Sequence, residues 1–175
     1  MADVTVVVPL AEGEVFRKSF TGEADVIVVR GGSHSYAKNV GGYAAKTRWI
    51  LFLDSDIDLM GLDLGVAVRL AEERGLDLAT GFYETSYSED AWNILVQNFH
   101  AALNSPIGCL GGFQLVRKRV FEALGGFKHM YSEDIEFANR AWFLGYRVGS
   151  IPVRVKHTRR FTPALRWVEK VASQA

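Results

Sequence analysis

Two carboxylates occupy a position that suits metal chemistry. Asp54 and Asp56 directly follow the apolar run 49–53, with Ser55 between them. Carboxylates two residues apart at the end of a strand can converge on one divalent cation, which takes oxygen ligands and can bridge them to phosphates. An acidic turn after a core strand explains the same residues without chemistry, because Asp and Ser are ordinary turn residues. The motif alone leaves both interpretations open.

A second acidic pair begins a predicted helix. Glu133 and Asp134 follow Ser132, a predicted helix cap, and the helix ends before Gly145. A positioned carboxylate can take the proton of an attacking hydroxyl group. The helix dipole alone also favours acidic residues in a first turn, by a few tenths to about 1 kcal/mol each. A lone histidine, His157, follows the final predicted strand and is by itself more typical of a surface residue than of a ligand.

The elements around these residues predict an α/β fold. Residues 49–53 are too few for a helix and rich in aromatic and branched side chains, which indicates a strand buried on both faces. Similar runs predict strands at 4–10, 24–29, 76–85, 107–117 and 146–155, and helices are predicted over 33–46, from Asp63 to Gly75, from Ser88 to Leu103, over 118–124 and over 132–144. This alternation predicts a mostly parallel central sheet. Ligands of such sheets bind beyond the carboxyl ends of the strands, where Asp54 and Asp56 stand.

Two connecting segments carry further predictions. Residues 11–23 are predicted to be a compressed crossover with little more than two helical turns. The helix after Ser88 has an apolar stripe that is predicted to pack in the core, with two polar residues off the stripe predicted to be solvated. The stripe is Trp92, Leu95, Val96, Phe99 and Leu103, and the polar residues are Asn98 and His100.

Composition narrows the classes of protein. The 175 residues suggest one domain with a sizeable core, and 49% hydrophobic residues exclude general disorder. Twenty basic and twenty acidic residues balance, so no global charge favours nucleic acid. Cys109, the single cysteine, fits a reducing compartment and a small core residue. Without an apolar run of about 18–20 residues or a signal-peptide pattern, the expected location is cytoplasmic.

The ordered set of motifs resembles the family 2 glycosyltransferases of the GT-A fold. The set is Asp54-Ser55-Asp56, Gly125-Gly126-Phe127, Ser132-Glu133-Asp134, Arg140, Gly145-Tyr146 and His157. Each motif is weak alone, and their order is more specific. The resemblance runs from about Val4 to His157 and implies a Rossmann-like three-layer sandwich. It divides the chain into a nucleotide-sugar transferase domain, 1–157, and a C-terminal tail, 158–175, with a short amphipathic helix.

The resemblance implies a reaction and roles for five residues. A sugar would move from a nucleoside diphosphate sugar, a UDP- or GDP-sugar, to an acceptor hydroxyl, with inversion at the anomeric carbon. Asp54 and Asp56 would hold Mn²⁺ or Mg²⁺ on the diphosphate, with His157 completing the metal or diphosphate site. Asp134 would be the general base and Glu133 its supporting neighbour. A helix N-terminus lowers a carboxylate pKa, so a base at Asp134 also requires burial.

Other residues are implied at the donor site. They are Pro9, Arg30, Lys38, Asn39, Ser55 and Gly112, of which Lys38-Asn39 matches a basic-Asn pair close to the nucleotide. Many family members carry Asp where this chain has Arg30-Gly31-Gly32, so the base is left open between uracil and guanine. Members are commonly longer, which suggests an acceptor groove that is open or completed by a partner or a second subunit, and a homo-oligomer is one option.

Alternatives to a transferase are also weighed. A sugar-phosphate nucleotidyltransferase would carry a basic, glycine-rich loop after its first strand, where this chain has the acidic segment 10–14. A non-catalytic relative that binds a nucleotide or glycan is the other alternative. Arg166-Trp167 faintly resembles the Q-x-x-R-W motif of processive synthases, but Pro163 stands at the glutamine position. Residues 163–171 are instead predicted to form a basic amphipathic helix that rests on the domain or, less commonly, on an anionic membrane.

Overall fold

A computed structural model of the chain describes residues 3–84, 91–106 and 111–158. The strands are β1 Val4–Leu10, β2 Phe20–Thr21, β3 Asp25–Arg30, β4 Trp49–Leu53, β5 Ile57–Asp58, β6 Leu62–Asp63, β7 Leu78–Tyr83, β8 Phe113–Arg117 and β9 Val148–His157, and the helices are α1 His34–Ala44, α2 Leu64–Glu73, α3 Ala91–Ala102, α4 Lys118–Ala123 and α5 Glu133–Phe143. The predicted cap Ser88, Cys109 and the tail from residue 159 lie outside the described residues.

Seven strands form the main sheet, in the order β3-β1-β4-β8-β7-β9-β5. β1 pairs in parallel with both β3 and β4, and β7 pairs in parallel with β9. β8 runs antiparallel to β4 and β7, and β5 runs antiparallel to β9. All strands except β8 and β5 therefore point the same way, which confirms the prediction of a mostly parallel sheet. Their carboxyl ends share one edge.

Helices cover both faces of this sheet. Every side chain of β4 is buried: Trp49, Leu51 and Leu53 join the apolar cluster under α2, and Ile50 and Phe52 join the cluster under α4 and α5. The unbroken apolar run reflects this two-sided burial, in which each large side chain contributes about 1.5–3 kcal/mol. The three-layer α/β architecture is confirmed.

The predicted helix caps have different outcomes. Ser33 Oγ accepts the N–H of Tyr36 at 3.2 Å, and Asp63 Oδ1 accepts that of Gly65 at 2.8 Å, so both caps are confirmed. Ser132 precedes α5 as predicted but has a left-handed φ of 57° and makes no side-chain cap bond. Its carbonyl accepts the N–H of Glu136 instead. The prediction that the Ser132 side chain caps the helix is therefore wrong.

The crossover after β1 also differs from its prediction. Residues 11–23 contain no helix, and β2 within them pairs in parallel with β6 as a separate two-stranded sheet. Ser19 fastens the segment, because its hydroxyl accepts the N–H of Leu59 and its carbonyl accepts that of Gly61. The segment therefore forms a short strand, β2, that is hydrogen-bonded to β6, in place of the predicted helical turns.

The orientation predicted for α3 is wrong. All five residues of the predicted core stripe are exposed, and Ile94 and Ala101 are the buried ones. The reason is Asn98, predicted to be solvated, whose side chain donates to the carbonyl of Tyr83 at 2.9 Å and accepts its N–H at 2.8 Å. This pair of bonds satisfies the end of β7 and turns the Asn98 side of α3 toward the sheet. None of the helices in the described ranges is both long and apolar enough to cross a bilayer.

Candidate active site

The carboxyl edge of the sheet brings the predicted acidic residues into one region. Asp54 leaves β4, and its N–H donates to the carbonyl of Gly112 at 3.1 Å, just before β8. An added Cβ at Gly112 would overlap Ile57 and approach Asp54 Cβ at 3.6 Å. Gly112, a predicted donor-site residue, thus packs directly against the turn that carries Asp54 and Asp56.

Asp56 and His157 form one half of the site. Nε2 of His157 lies 3.6 Å from Oδ2 of Asp56. The pairing of β5 with β9 places His157 opposite Ile57, and Thr158 donates its N–H to the carbonyl of Asp56 at 2.8 Å. Residues 101 positions apart in sequence are therefore held side by side by main-chain pairing. The predicted metal ligands Asp56 and His157 lie together.

Asp54 contacts a different set of side chains. Its Oδ1 lies 3.6 Å from Lys38 Nζ and 4.0 Å from His34 Nδ1, and among the described residues it has no hydrogen-bond partner. No three metal-binding side chains cluster in the described part of the chain. Mg²⁺ in proteins is commonly held by one or two carboxylates together with substrate phosphates and water. Asp56 with His157, and the buried oxygen of Asp54, suit a cation of that kind.

Lys38 lies underneath the site and is 1% exposed. Its Nζ lies 3.0 Å from Glu133 Oε1 and 3.6 Å from Asp54 Oδ1, and it sits over the ring of Phe127. Burial alone would lower the pKa of Lys38, but the carboxylates of Asp54, Glu133 and Asp134 outweigh it and raise the pKa. Lys38 therefore stays charged and joins the Asp54 turn to the first turn of α5.

Glu133 is the partner of that lysine. Burial raises the pKa of Glu133, but the charge and hydrogen bond of Lys38 outweigh burial and hold the pKa below its usual value. Both members of the pair are therefore ionised. Glu133 and Lys38 stabilise each other's charge, and the position of Lys38 close to a nucleotide stays a prediction.

Asn39 and Arg140 hold the turn that leads to α5. The amide of Asn39 donates to the carbonyl of Phe127 and accepts its N–H, each at 2.8 Å. Arg140 donates to the carbonyls of Leu124 and Gly126 while pairing with Glu136 at 2.8 Å. The amide of Asn39, which was predicted at the donor site, therefore stabilises the turn at Phe127 that leads to Glu133 and Asp134.

Asp134 is partly buried beside this pair. Burial is the largest influence and raises the pKa of Asp134; Lys38 opposes it, and the Glu133 charge adds to it. The net pKa lies above the ordinary value, despite the helix N-terminus. Gln114, fully buried on β8, donates to the main-chain carbonyl of Asp134 at 3.1 Å. The burial that a general base at Asp134 requires is present.

Glu14 makes hydrogen bonds to two of the predicted donor-site residues, Ser55 and Arg30. Its Oε2 accepts the hydroxyl of Ser55 at 2.8 Å and the N–H of Ala11 at 3.2 Å, and its carbonyl accepts Arg30 Nη1 at 3.1 Å. Pro9 is buried within β1, opposite Val29. A cleft of about 490 Å³ lies between this loop and Asp56. Glu14 therefore links Arg30 to Ser55, and Glu14 and Ser55 both line the cleft.

Comparisons with known proteins fit this geometry. Searches against protein-family models and curated proteins find no match. Among solved structures, the mannosyltransferase PcManGT from Pyrobaculum calidifontis, in complex with GDP-Man and Mn²⁺, superposes with a TM-score of 0.68 at 16% identity over 94% of this chain. The chain has a GT-A fold. It spans 59% of that mannosyltransferase.

Two further GT-A structures are similar. Glucosyl-3-phosphoglycerate synthase from Mycobacterium tuberculosis, in complex with Mg²⁺ and UDP, gives a TM-score of 0.61 at 17% identity, covering 99% of this chain and 76% of the synthase. S. aureus TarS 1-349 with UDP gives 0.62 at 16% identity, covering 93% of this chain and 61% of TarS 1-349. At these identities the likeness establishes the GT-A fold alone.

The structure adds residues that the sequence analysis did not single out. Tyr83, at the end of β7, is buried, and its ring packs edge-on to His157 at 6.0 Å. Burial, with the charges of Asp54, Asp56 and Asp134, raises its pKa. In the sequence analysis Glu14 served only as part of the acidic segment that argues against a nucleotidyltransferase. The available signal was their position at the carboxyl edge of the sheet: Tyr83 is the last residue of β7, and Glu14 lies in the loop that follows β1.

Gly111 has no side chain and so leaves space for the Asp134 carboxylate; for a transfer reaction with Asp134 as its base, we expect Gly111→Ala to reduce turnover strongly. An added Cβ would overlap Oδ2 of Asp134, so the carboxylate has to move. Displacement of a catalytic group by about 1 Å can cost about 100-fold in rate. Steady-state rates of sugar transfer or donor hydrolysis measure the effect. Gly65→Ala in α2, where the nearest atom is 3.2 Å away, is the control; equal rates in both variants would contradict the placement of Asp134.

Proposed function

We propose that this GT-A domain is a family 2 type, metal-dependent glycosyltransferase that moves a sugar from a nucleoside diphosphate sugar to an acceptor hydroxyl, with inversion. The observation that carries the proposal is that the Asp56–His157 pair and Asp134, whose pKa is raised, lie at one edge of the sheet, with buried Lys38 between Asp54 and Glu133, their neighbours in the sequence. The similar mannosyltransferase and synthase structures contain GDP-Man with Mn²⁺ and UDP with Mg²⁺, which supports a nucleotide-sugar donor.

Asp56 and His157 are the proposed metal ligands, with Asp54 as a further oxygen donor. Mn²⁺ or Mg²⁺, when bound, neutralises the charge that develops on the leaving diphosphate. Thr158 and the β5–β9 pairing keep the two ligands in place before the donor arrives. The protein therefore contributes a fixed pair of ligands and leaves the remaining positions to phosphate oxygens and water.

Asp134 is the proposed general base and Glu133 its supporting neighbour. A carboxylate whose pKa is raised accepts the proton of the acceptor hydroxyl more readily than an ordinary one near neutral pH. Lys38 lowers the pKa of Glu133 whereas burial raises that of Asp134, so Asp134 is the stronger base of the two and takes the proton. A single base opposite the leaving diphosphate gives direct displacement, hence inversion.

The first experiment is calorimetric titration with UDP and with GDP, each with and without Mn²⁺. Metal-dependent binding of one of them supports the proposed donor site and identifies the base. If neither nucleotide binds in either condition, the proposed donor site is wrong. Binding without any turnover of the corresponding UDP- or GDP-sugars would favour the non-catalytic alternative.

Asp56→Ala tests the metal site. Because Asp56 is one of three proposed protein ligands, we expect at least about tenfold weaker nucleotide binding in the presence of Mn²⁺, and little change without it. Titration calorimetry measures both affinities. Asp25→Ala, an exposed carboxylate at the start of β3, is the matched control. Unchanged Mn²⁺-dependent affinity of the Asp56 variant would exclude Asp56 as a ligand.

For the acceptor and the cellular location we propose only a general class. The donor class and the single cysteine favour a cytoplasmic location, which we propose. The acceptor is proposed to be a hydroxyl compound that reaches Asp134 over the first turn of α5. Membrane contact through residues 158–175 and homo-oligomer formation stay predictions from the sequence.

A further inference from the structure

Helix α3 presents a continuous apolar face to solvent. Trp92, Phe99 and Leu103 are 73%, 60% and 61% exposed, and Leu95 and Val96 lie between them on the same stripe. Single exposed apolar residues are ordinary, but a contiguous set at helical spacing marks a surface that another element covers. We refer to these five residues as the α3 stripe.

The stripe cannot turn inward. Ile94 and Ala101 are each 1% exposed on the opposite side of the helix, and Asn98 holds both main-chain groups of Tyr83. Rotating α3 to bury the stripe would break these two hydrogen bonds and expose the buried side. A cover for the stripe therefore has to come from outside the described fold.

We propose that the C-terminal segment of this chain, residues 159–175, docks on the α3 stripe as an amphipathic helix. Its apolar residues recur every three or four positions, the spacing that interdigitates with a facing helix. They are Leu165, Val168 and Val171, with Trp167 at the edge of the same face, and between them stand Arg166, Glu169 and Lys170. One face of the segment thus matches the stripe, and the other suits solvent.

The chain leaves β9 beside β7, the strand to which α3 is hydrogen-bonded. Thr158 donates its N–H and its hydroxyl to the carbonyl of Asp56, at 2.8 and 2.9 Å, so the segment begins at the carboxyl edge. Tyr83, to which Asn98 fastens α3, pairs with Val155 on the neighbouring strand. Strands lie about 4.8 Å apart and an extended residue spans about 3.3 Å. Four extended residues span about 13 Å, more than the spacing of two neighbouring strands, so residues 159–162 suffice as a linker in the proposal.

Two other occupants fit less well. Residues 91–103 contain no Lys or Arg, so α3 lacks the cationic face of helices that lie on anionic membranes. A helix of 12 residues is about 18 Å long and about 10 Å wide, so one face supplies far less than the roughly 800 Å² per partner of a stable dimer. A tethered segment needs no such area, because its effective concentration is in the millimolar range.

Photo-crosslinking in the full chain tests the proposal. Benzoylphenylalanine is introduced at position 99, or at 92, and the products are mapped by mass spectrometry in an equimolar mixture of isotopically light and heavy chains. Position 43 on α1, an exposed tyrosine on the opposite face of the sheet, is the control. Parallel samples contain phosphatidylglycerol vesicles.

We expect crosslinks from 99 and 92 into residues 161–171 of the same chain, and none from position 43. Leu165→Asp combined with Val168→Asp is expected to abolish them, whereas Lys170→Asp on the polar side is expected to retain them. Crosslinks between light and heavy chains would show that a second copy covers the stripe and would overturn the proposal. Crosslinks into lipid, or none into residues 159–175, would overturn it as well.

Discussion

Asp134→Asn is expected to abolish sugar transfer while leaving nucleotide binding intact. General-base catalysis typically contributes about 10²–10⁴-fold, so the rate should fall by that factor. In the wild-type protein the rate should fall as the pH drops through the Asp134 pKa, and this acid limb lies above the ordinary range of aspartate because burial raises that pKa. The pH dependence of kcat, together with calorimetry of nucleotide binding, measures both effects.

The same variant is expected to melt at a higher temperature near neutral pH. A raised pKa in the folded state means that folding favours the protonated carboxyl, so ionisation costs stability as the pH rises through the folded pKa. Asparagine removes this cost, and each 1 kcal/mol relieved raises Tm by about 2–4 °C in a chain of this size. Below the unfolded pKa the gain should vanish. Asp25→Asn, an exposed carboxylate, is the control; a gain that is equal at acid and neutral pH would refute the assignment.

Lys38→Met is expected to destabilise the protein by about 3–5 kcal/mol near neutral pH, because removing one partner of a buried ion pair leaves the other charge uncompensated. Glu133 and Asp54 would then face each other across the cavity that Lys38 Nζ occupied. Chemical denaturation measures the loss. The loss should shrink at acid pH, where the two carboxylates become protonated.

A double variant separates the charge of Lys38 from its packing. If the cost of Lys38→Met comes from the stranded charge, adding Glu133→Gln should recover part of the stability, and Glu133→Gln paired with the wild-type lysine should itself be destabilising. Lys118→Met, which breaks a solvent-accessible pair with Glu122, is expected to cost at most about 1 kcal/mol. A double variant no more stable than Lys38→Met alone would mean that Lys38 acts through packing.

The strand framework could be predicted from sequence because its signals are local. The run Trp49–Leu53 buries alternate residues on two faces, which only a central strand requires. Asp54 and Asp56 then follow at the edge where parallel strands end. Ser33 and Asp63 also cap their helices through bonds to residues two or three positions away. In each case the interacting residues lie within a few positions of one another in the sequence.

The features that sequence reasoning missed depend on distant partners. Lys38 is a buried support because Glu133 stands 95 positions later, and nothing near Lys38 in the sequence indicates that contact. The apolar stripe of α3 has the right spacing for a core helix, but Asn98 reaches Tyr83 and turns the opposite side inward. Helical periodicity locates a stripe and cannot say what faces it.

The position of β8 between β4 and β7 has a consequence for the order of folding. β4 precedes β8 by about 60 residues, and Phe52 meets Gln114 across that pairing. A nascent chain that has reached only the end of α3 contains Asp54 and Asp56 but lacks Gly112, whose carbonyl accepts the Asp54 N–H. Because such non-local pairing forms slowly, the proposed nucleotide binding should emerge late during synthesis and refolding, together with β8 and not with the aspartates.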